Sequence, residues 1–237
     1  FGMALAMSGD GTRLAVGADG EDSKATTING DETDDSGFNI GAAYIYEFDG
    51  SAWSKDTYIK ADMATGSFGV TLALADDGSR LAVGASGRAF VFDHDGTSWS
   101  QQASLIGSNT VGSDGLDAFG LDGIALSGNG STLAVGAVDE DSNAEGVGGD
   151  GTDDSRTNSG AVYVFDYNGT AWNETAYVKS ATASTEEQFG HVIALADDGT
   201  RMAVGTGTNG SSAETFVDGG SGWSHEASFN THAGGSV

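Results

Sequence analysis

Two stretches of this chain concentrate oxygen ligands. The first holds Asp19, Glu21, Asp22, Asp31, Glu32, Asp34 and Asp35; the second holds Asp139, Glu140, Asp141, Asp150, Asp153 and Asp154. Calcium takes six to eight oxygens, and Gly- and Asn-rich loops bend readily enough to supply them. Carboxylates packed this closely without a cation repel one another. One reading is therefore a calcium site drawn from Asp19, Glu21, Asp22, Asp31, Asp34, Asp35, Asp139, Asp141, Asp150, Asp153 and Asp154; the other is a pair of flexible, solvated acidic loops. Magnesium suits them less, because it is usually held through few protein ligands.

Other chemistry is thin. His94, His191, His225 and His232 fall at unrelated places along the chain, so no metal triad or general base is evident. No Gly-x-Ser-x-Gly elbow, His-Glu-x-x-His helix or phosphate loop occurs, and the absence of cysteine removes thiol and disulfide chemistry together. Trp53, Trp99, Trp172 and Trp223 could be sugar-stacking platforms, but they recur at one position of a repeat, which fits packing between units better. Asn129, Asn168, Asn173 and Asn209 begin Asn-x-Ser/Thr acceptor sequences for glycan.

Thirty-five acidic against nine basic residues give a formal charge of −26. Nucleic acid is excluded as a partner, because phosphate binding depends on Lys and Arg, and so are anionic membrane surfaces. No apolar run approaches the ~20 residues of a membrane helix, which argues against membrane insertion. An average chain of this length would carry roughly 12 prolines; here there are none, against 39 glycines, so Gly, Asp, Asn and Ser must build the turns. The chain opens on Phe1 without a signal peptide, and is expected to be a mature product or an excised piece.

The elements that position these residues follow from an internal repeat. Phe1-Gly2, Phe68-Gly69, Phe119-Gly120 and Phe189-Gly190 each precede a turn at Asp10-Gly11, Asp77-Gly78, Asn129-Gly130 or Asp198-Gly199. The strands that follow are Leu14 to Ala18, Leu81 to Ala85, Leu133 to Ala137 and Met202 to Thr206. The third copy carries one extra residue before its turn, read as a bulge at Asp122-Gly123. A second hairpin follows in each copy, with turns at Asp49-Gly50, Asp95-Gly96, Asn168-Gly169 and Asp218-Gly219, each leading to a tryptophan. Asp-Gly and Asn-Gly between apolar runs are strong hairpin signals, expected here to place both turn residues at positive φ. Each copy therefore predicts a four-stranded antiparallel sheet that cannot bury both faces alone; stacking around an axis solves this. The expected fold is all-β: one β-propeller domain over 1–237, with blades 1–67, 68–118, 119–188 and 189–237. It would be a complete small ring or part of a larger one. Small residues in the first two strands suit a crowded centre, and the acidic loops lie between second and third strands of the first and third copies.

The Phe-Gly start, the Leu-Ala-Val-Gly-Ala strand and the Gly41-Ala-Ala-Tyr-Ile-Tyr46 strand resemble FG-GAP repeats, the blades of integrin-like propellers and of bacterial surface proteins. The resemblance covers essentially the whole chain. It implies a secreted or cell-surface adhesion module that presents an acidic, calcium-binding face to an extracellular protein or glycan. The family's proline is replaced by Asp19, Ser86, Val138 and Gly207, and its calcium loops have no counterpart in tight turns such as Ser8-Gly9-Asp10-Gly11. A structural block in a longer array or filament, pairing with further copies of itself, is the alternative, and a polysaccharide-active enzyme a third reading. On this sequence the chain is expected not to be an enzyme.

Overall fold

The structure is a computed structural model that describes residues 1–109, 117–207 and 212–230. The first sheet holds β1 (Leu5–Met7), β2 (Arg13–Ala18), β3 (Ala42–Phe48) and β4 (Trp53–Ile59). The second holds β5 (Thr71–Leu74), β6 (Arg80–Ala85), β7 (Arg88–His94) and β8 (Trp99–Leu105). The third holds β9 (Ile124–Leu126), β10 (Thr132–Ala137), β11 (Ala161–Tyr167) and β12 (Trp172–Val178). The fourth holds β13 (Val192–Leu195), β14 (Arg201–Gly205), β15 (Ser212–Asp218) and β16 (Trp223–Asn230). Each sheet is an antiparallel meander in chain order, the architecture the repeat implied. No helix among the described residues is long and apolar enough to cross a membrane.

Local chemistry makes the hairpins. Gly11 donates its N–H to the Ser8 carbonyl, and the Asp10 carboxylate accepts from the Thr12 N–H at 2.9 Å. The same side-chain closure recurs at Asp49, Asp77, Asp95, Asn129, Asn168, Asp198 and Asp218. The Asp or Asn stays out of positive φ and the next glycine takes it, 70° at Gly11, except after Asp218, where Gly220 does, so the expectation that both turn residues do so is corrected. The Asp carboxylate, bonded two residues ahead, holds its own backbone in the ordinary region and leaves one left-handed position to glycine.

Innermost strands pack in series, β1 on β5, β5 on β9 and β9 on β13. At each joint one blade offers small or aliphatic side chains and the next fills the space with aromatics. Ala15, Ala43, Ile45 and Ile59 meet Phe68, Leu81, Val83, Phe90, Phe92 and Trp99 in the first joint. Ala82, Ala89 and Val91 meet Phe119, Tyr163, Phe165 and Trp172 in the second. Val162, Val164 and Val178 meet Phe189, Met202, Phe216 and Trp223 in the third. Each large apolar side chain taken from water contributes about 1.5–3 kcal/mol, so the joints hold the array together. Trp99, Trp172 and Trp223 are buried in these joints, which makes them packing residues, whereas Trp53 is 42% exposed.

The two signature motifs of the repeat turn out to be halves of one contact. A Cβ on Gly17 would overlap the Gly69 carbonyl oxygen, one on Gly84 that of Gly120, and one on Gly136 that of Gly190. The Phe-Gly of each blade therefore lies directly on the Gly of the preceding Leu-Ala-Val-Gly strand. Parallel bridges from Gly41 to Phe68 and from Gly160 to Phe189 fix the same junction.

Candidate functional site

The acidic loops contain two copies of one buried device. In the first blade Glu21 accepts a hydrogen bond from the Tyr58 hydroxyl at 2.7 Å and pairs with Lys60 at 2.9 Å. Lys60 also donates to the carbonyls of Ser23 and Gly41, both at 2.7 Å. In the third blade Glu140 accepts from the Tyr177 hydroxyl at 2.6 Å and pairs with Lys179, which is fully buried and also donates to Ser159. Burial pushes the Lys179 ammonium below its ordinary range, and Glu140 opposes that shift. Burial likewise pushes the Tyr58 and Tyr177 hydroxyls up.

Most other predicted ligands are occupied too. Asp22 and Asp141 accept the N–H groups of Asn39 and Asn158, at 2.7 and 2.6 Å. Asp31, Asp34, Asp150 and Asp153 each accept an N–H two residues ahead, and Asp34 also accepts that of Lys24. Asp19 is half-buried, and Asp35 and Asp154 are exposed, in the same loops. Among the described residues, no three carboxylate or imidazole side chains come together as a group that could hold a metal ion. Asn129, Asn168 and Asn173 are exposed; Asn209 lies outside the described residues.

A different cluster sits where innermost strands begin, at the end that carries the long loops. Between Gly120 and Gly123 the third blade has two residues, Leu121 and Asp122, where the first has only Met3, between Gly2 and Ala4. The equivalence follows from matching hydrogen bonds, Gly17 to Ala4 and Gly136 to Gly123. The insertion brings the Asp122 carboxylate 3.3 Å from Nδ1 of His191, which opens the fourth blade; the side chains are 30% and 41% exposed. Asp139, exposed at the start of the second long loop, is crowded first by protein and then by Asp122, Asp141 and Glu186, which together raise its pKa. Asn158 ties the cluster down, donating to Glu186 at 3.1 Å. Asp117 and Glu186 both take positive φ, 49° and 59°, a conformation that costs a non-glycine residue of order 1–3 kcal/mol and persists only where its surroundings fix it.

Comparing the four histidines with one another does not reveal the Asp122–His191 contact. The signal that points to it is the extra residue in the third copy, at Asp122-Gly123. The buried triads had a signal as well: Tyr58-x-Lys60 and Tyr177-x-Lys179 occur only in the blades carrying Glu21-Asp22-Ser23 or Glu140-Asp141-Ser142.

An imidazole in contact with a carboxylate at 3.3 Å, and a further carboxyl whose pKa is raised, are groups that general acid–base chemistry uses. The fold is that of a β-propeller. Among solved structures it resembles a Pseudomonas aeruginosa periplasmic gluconolactonase, with TM-score 0.60 and 14% identity over 99% of this chain and 58% of that one. It also resembles a Bacteroides uniformis protein provisionally described as a 6-phosphogluconolactonase, with TM-score 0.54 and 13% identity over 97% of this chain and 53% of that one. The chain thus spans a little over half the length of either relative. No protein-family model and no curated protein sequence matches it.

These findings correct the sequence reading in three respects. The FG-GAP, integrin-like resemblance is set aside, since the structural relatives are lactonases and no FG-GAP model matches. Its motifs are explained by the blade joint, where Phe-Gly and Leu-Ala-Val-Gly meet for steric reasons alone. The adhesion module and the structural array block go with it, and so does the expectation that the chain is not an enzyme: the relatives named are enzymes.

Proposed function

We propose that this chain belongs to a hydrolytic propeller that opens an uncharged sugar lactone at the Asp122–His191 end of the axis. The observation that carries the reading is the Asp122–His191 pair, with Asp139 beside it in a raised-pKa setting. The lactonase names of the two structural relatives support it. In the step envisaged, His191 takes a proton from water as the water oxygen bonds to the lactone carbonyl carbon. Asp122 holds the imidazole in orientation. The ring C–O bond then breaks, and the Asp139 carboxyl protonates the departing ring oxygen to leave a hydroxy acid. A neutral substrate fits better than a phosphorylated one. Arg156 is committed to the Ala183 carbonyl and Glu145, and Lys179 to Glu140, so neither cation nearby is available for a phosphate. The negative field of a −26 chain repels a substrate anion and favours release of the product carboxylate. The proposal includes an extracytoplasmic setting, which the periplasmic relative supports.

The test is acid release from glucono-1,5-lactone, followed at constant pH against the uncatalysed rate. His191→Asn and Asp122→Asn are expected to lower kcat by about 10²–10⁴-fold and about 10-fold or more respectively, with melting unchanged. A wild-type rate equal to the protein-free control would refute the proposal.

A further inference from the structure

The three internal joints share the Phe-Gly contact on the preceding Gly, and in the first two an arginine also crosses to the next blade; each terminal blade carries an unmatched half of that set. Arg13 of the first blade reaches the Gly78 carbonyl of the second at 2.7 Å and lies 5.4 Å from the centre of the Trp99 ring, while keeping Glu47 as partner. Arg80 reaches the Gly130 carbonyl of the third blade at 2.7 Å and lies 5.4 Å from the Trp172 ring, while keeping Asp93. Arg201 holds the same place in the fourth blade. It pairs with Glu226 at 2.8 Å, and its side chain is 56% exposed, against 15% for Arg13 and 14% for Arg80. Gly205 corresponds to Gly17, Gly84 and Gly136, yet a Cβ on it would meet only Val192 Cβ, at 3.7 Å. Phe229, the counterpart of the fully buried Ile59 and Val178, is exposed.

The first blade shows the reverse half. Phe1 and Trp53 are exposed, whereas the equivalent Phe68, Phe119, Phe189, Trp99, Trp172 and Trp223 are all buried. Phe1, Leu14, Val16, Tyr46 and Trp53 line an open groove of about 320 Å³. These positions match the residues that fill each internal joint. Gly2, which would lie on a preceding Gly, has open space around the position of a Cβ.

We propose that a second copy of this chain occupies both edges, the fourth blade of each copy seating on the first blade of the other. The pair closes as a ring of eight sheets, with two new joints built like the first two internal ones. In each new joint Phe1-Gly2 lies on Gly205 of the other copy, and Arg201 lies over Trp53 while bonding to the Gly11 carbonyl. Self-complementary edges of this heterologous kind close a ring when the rotation allows it, and eight blades fall within the range propellers adopt. The inference does not depend on the lactone reading.

The test is the mass in solution of the full chain by light scattering. At about 50 µM and ~0.5 M NaCl, which screens the repulsion between two −26 chains, the expected mass is twice 23.8 kDa. Gly205→Ala has room in the isolated chain but would collide with the Gly2 carbonyl of a partner. Its melting should match the wild type at a concentration where both are monomeric, and its dimer dissociation constant should rise at least 100-fold. Arg201→Glu, at the surface, is a second probe of the same edge and should weaken pairing at least 10-fold. A wild-type monomer at that concentration would overturn the proposal. A dimer indifferent to both substitutions, or a ladder of larger species in place of a closed pair, would overturn it equally.

Discussion

Replacing Lys179 with methionine should be among the most damaging single changes available in this fold. The Lys179 side chain has no exposed surface and the Glu140 side chain only 3%. Glu140 is further enclosed by the Tyr177 hydroxyl at 2.6 Å and the Asn109 amide at 3.2 Å. Methionine nearly conserves volume, so the change is chiefly electrostatic: it leaves a carboxylate buried without its counter-charge. Such losses cost about 3–5 kcal/mol. At roughly 2–4 °C per kcal/mol for a chain of this size, the melting temperature should fall by about 6–20 °C. Adding Glu140→Gln removes the stranded charge while keeping an oxygen for Tyr177, and should recover at least half the loss. The exposed pair Lys55–Glu32, at 2.5 Å, is the control: both side chains are about two-fifths exposed, and Lys55→Met should cost at most about 1 kcal/mol. The assay is urea unfolding of the four variants, compared as a double-mutant cycle. A Lys179→Met loss no larger than that of Lys55→Met, or a double variant no better than the single one, would refute the reasoning.

Two further expectations concern the acidic residues. A calcium site at 100-fold its dissociation constant would add about 2.7 kcal/mol and raise the melting temperature by roughly 5–10 °C. Because Glu21 and Glu140 already face lysines and Asp22, Asp34, Asp141 and Asp153 already hold backbone amides, a few millimolar calcium should raise it by less than about 2 °C over sodium of equal ionic strength; a larger rise would put calcium back in the loops. With pH, hydrogen bonds from Ser and Thr hydroxyls and backbone N–H groups hold Asp10, Asp31, Asp49, Asp150 and Asp198 below their ordinary range, and Asp95 down to about 2. Groups with lowered folded-state pKa stabilise above their unfolded value, ~3.9, and lose that contribution as pH falls through the folded value. Melting temperature should therefore drop steeply between about pH 4 and pH 2, and Asp95→Asn should flatten part of that drop; a profile flat to pH 2 would count against the turn bonds.

The fold was legible because the repeat stated each element four times over. Gly after Asp or Asn marked every hairpin, and the small residues of Leu-Ala-Val-Gly marked the crowded centre, where Gly17 and Gly69 leave no room for a Cβ. The site was not legible, because it arises between repeats. The distance from Asp122 to His191 in sequence says nothing of their meeting, which depends on β9 and β13 packing side by side. The acidic loops show the same limit. Counting carboxylates finds charge, but not the lysine carried on the last strand of the same blade or the backbone amide two residues ahead that neutralises or holds it.

The same contrast separates scaffold from function in this molecule. Positions that recur in all four blades, such as Phe-Gly, the turn Asp or Asn and the tryptophan, are explained by hairpin and joint, so their recurrence carries no information about a ligand. The departures carry it instead. The third blade alone inserts a residue beside the axis and alone places a carboxylate, Asp139, where the first blade has Gly20. Both departures fall on one end, and Asp122 contacts His191, whose equivalents in the other blades are Met3, Val70 and Leu121. A joint would gain nothing from a polar insertion there, and burial first, then Asp122, Asp141 and Glu186, raise the pKa of Asp139. Those departures are what the proposed chemistry would account for and packing does not.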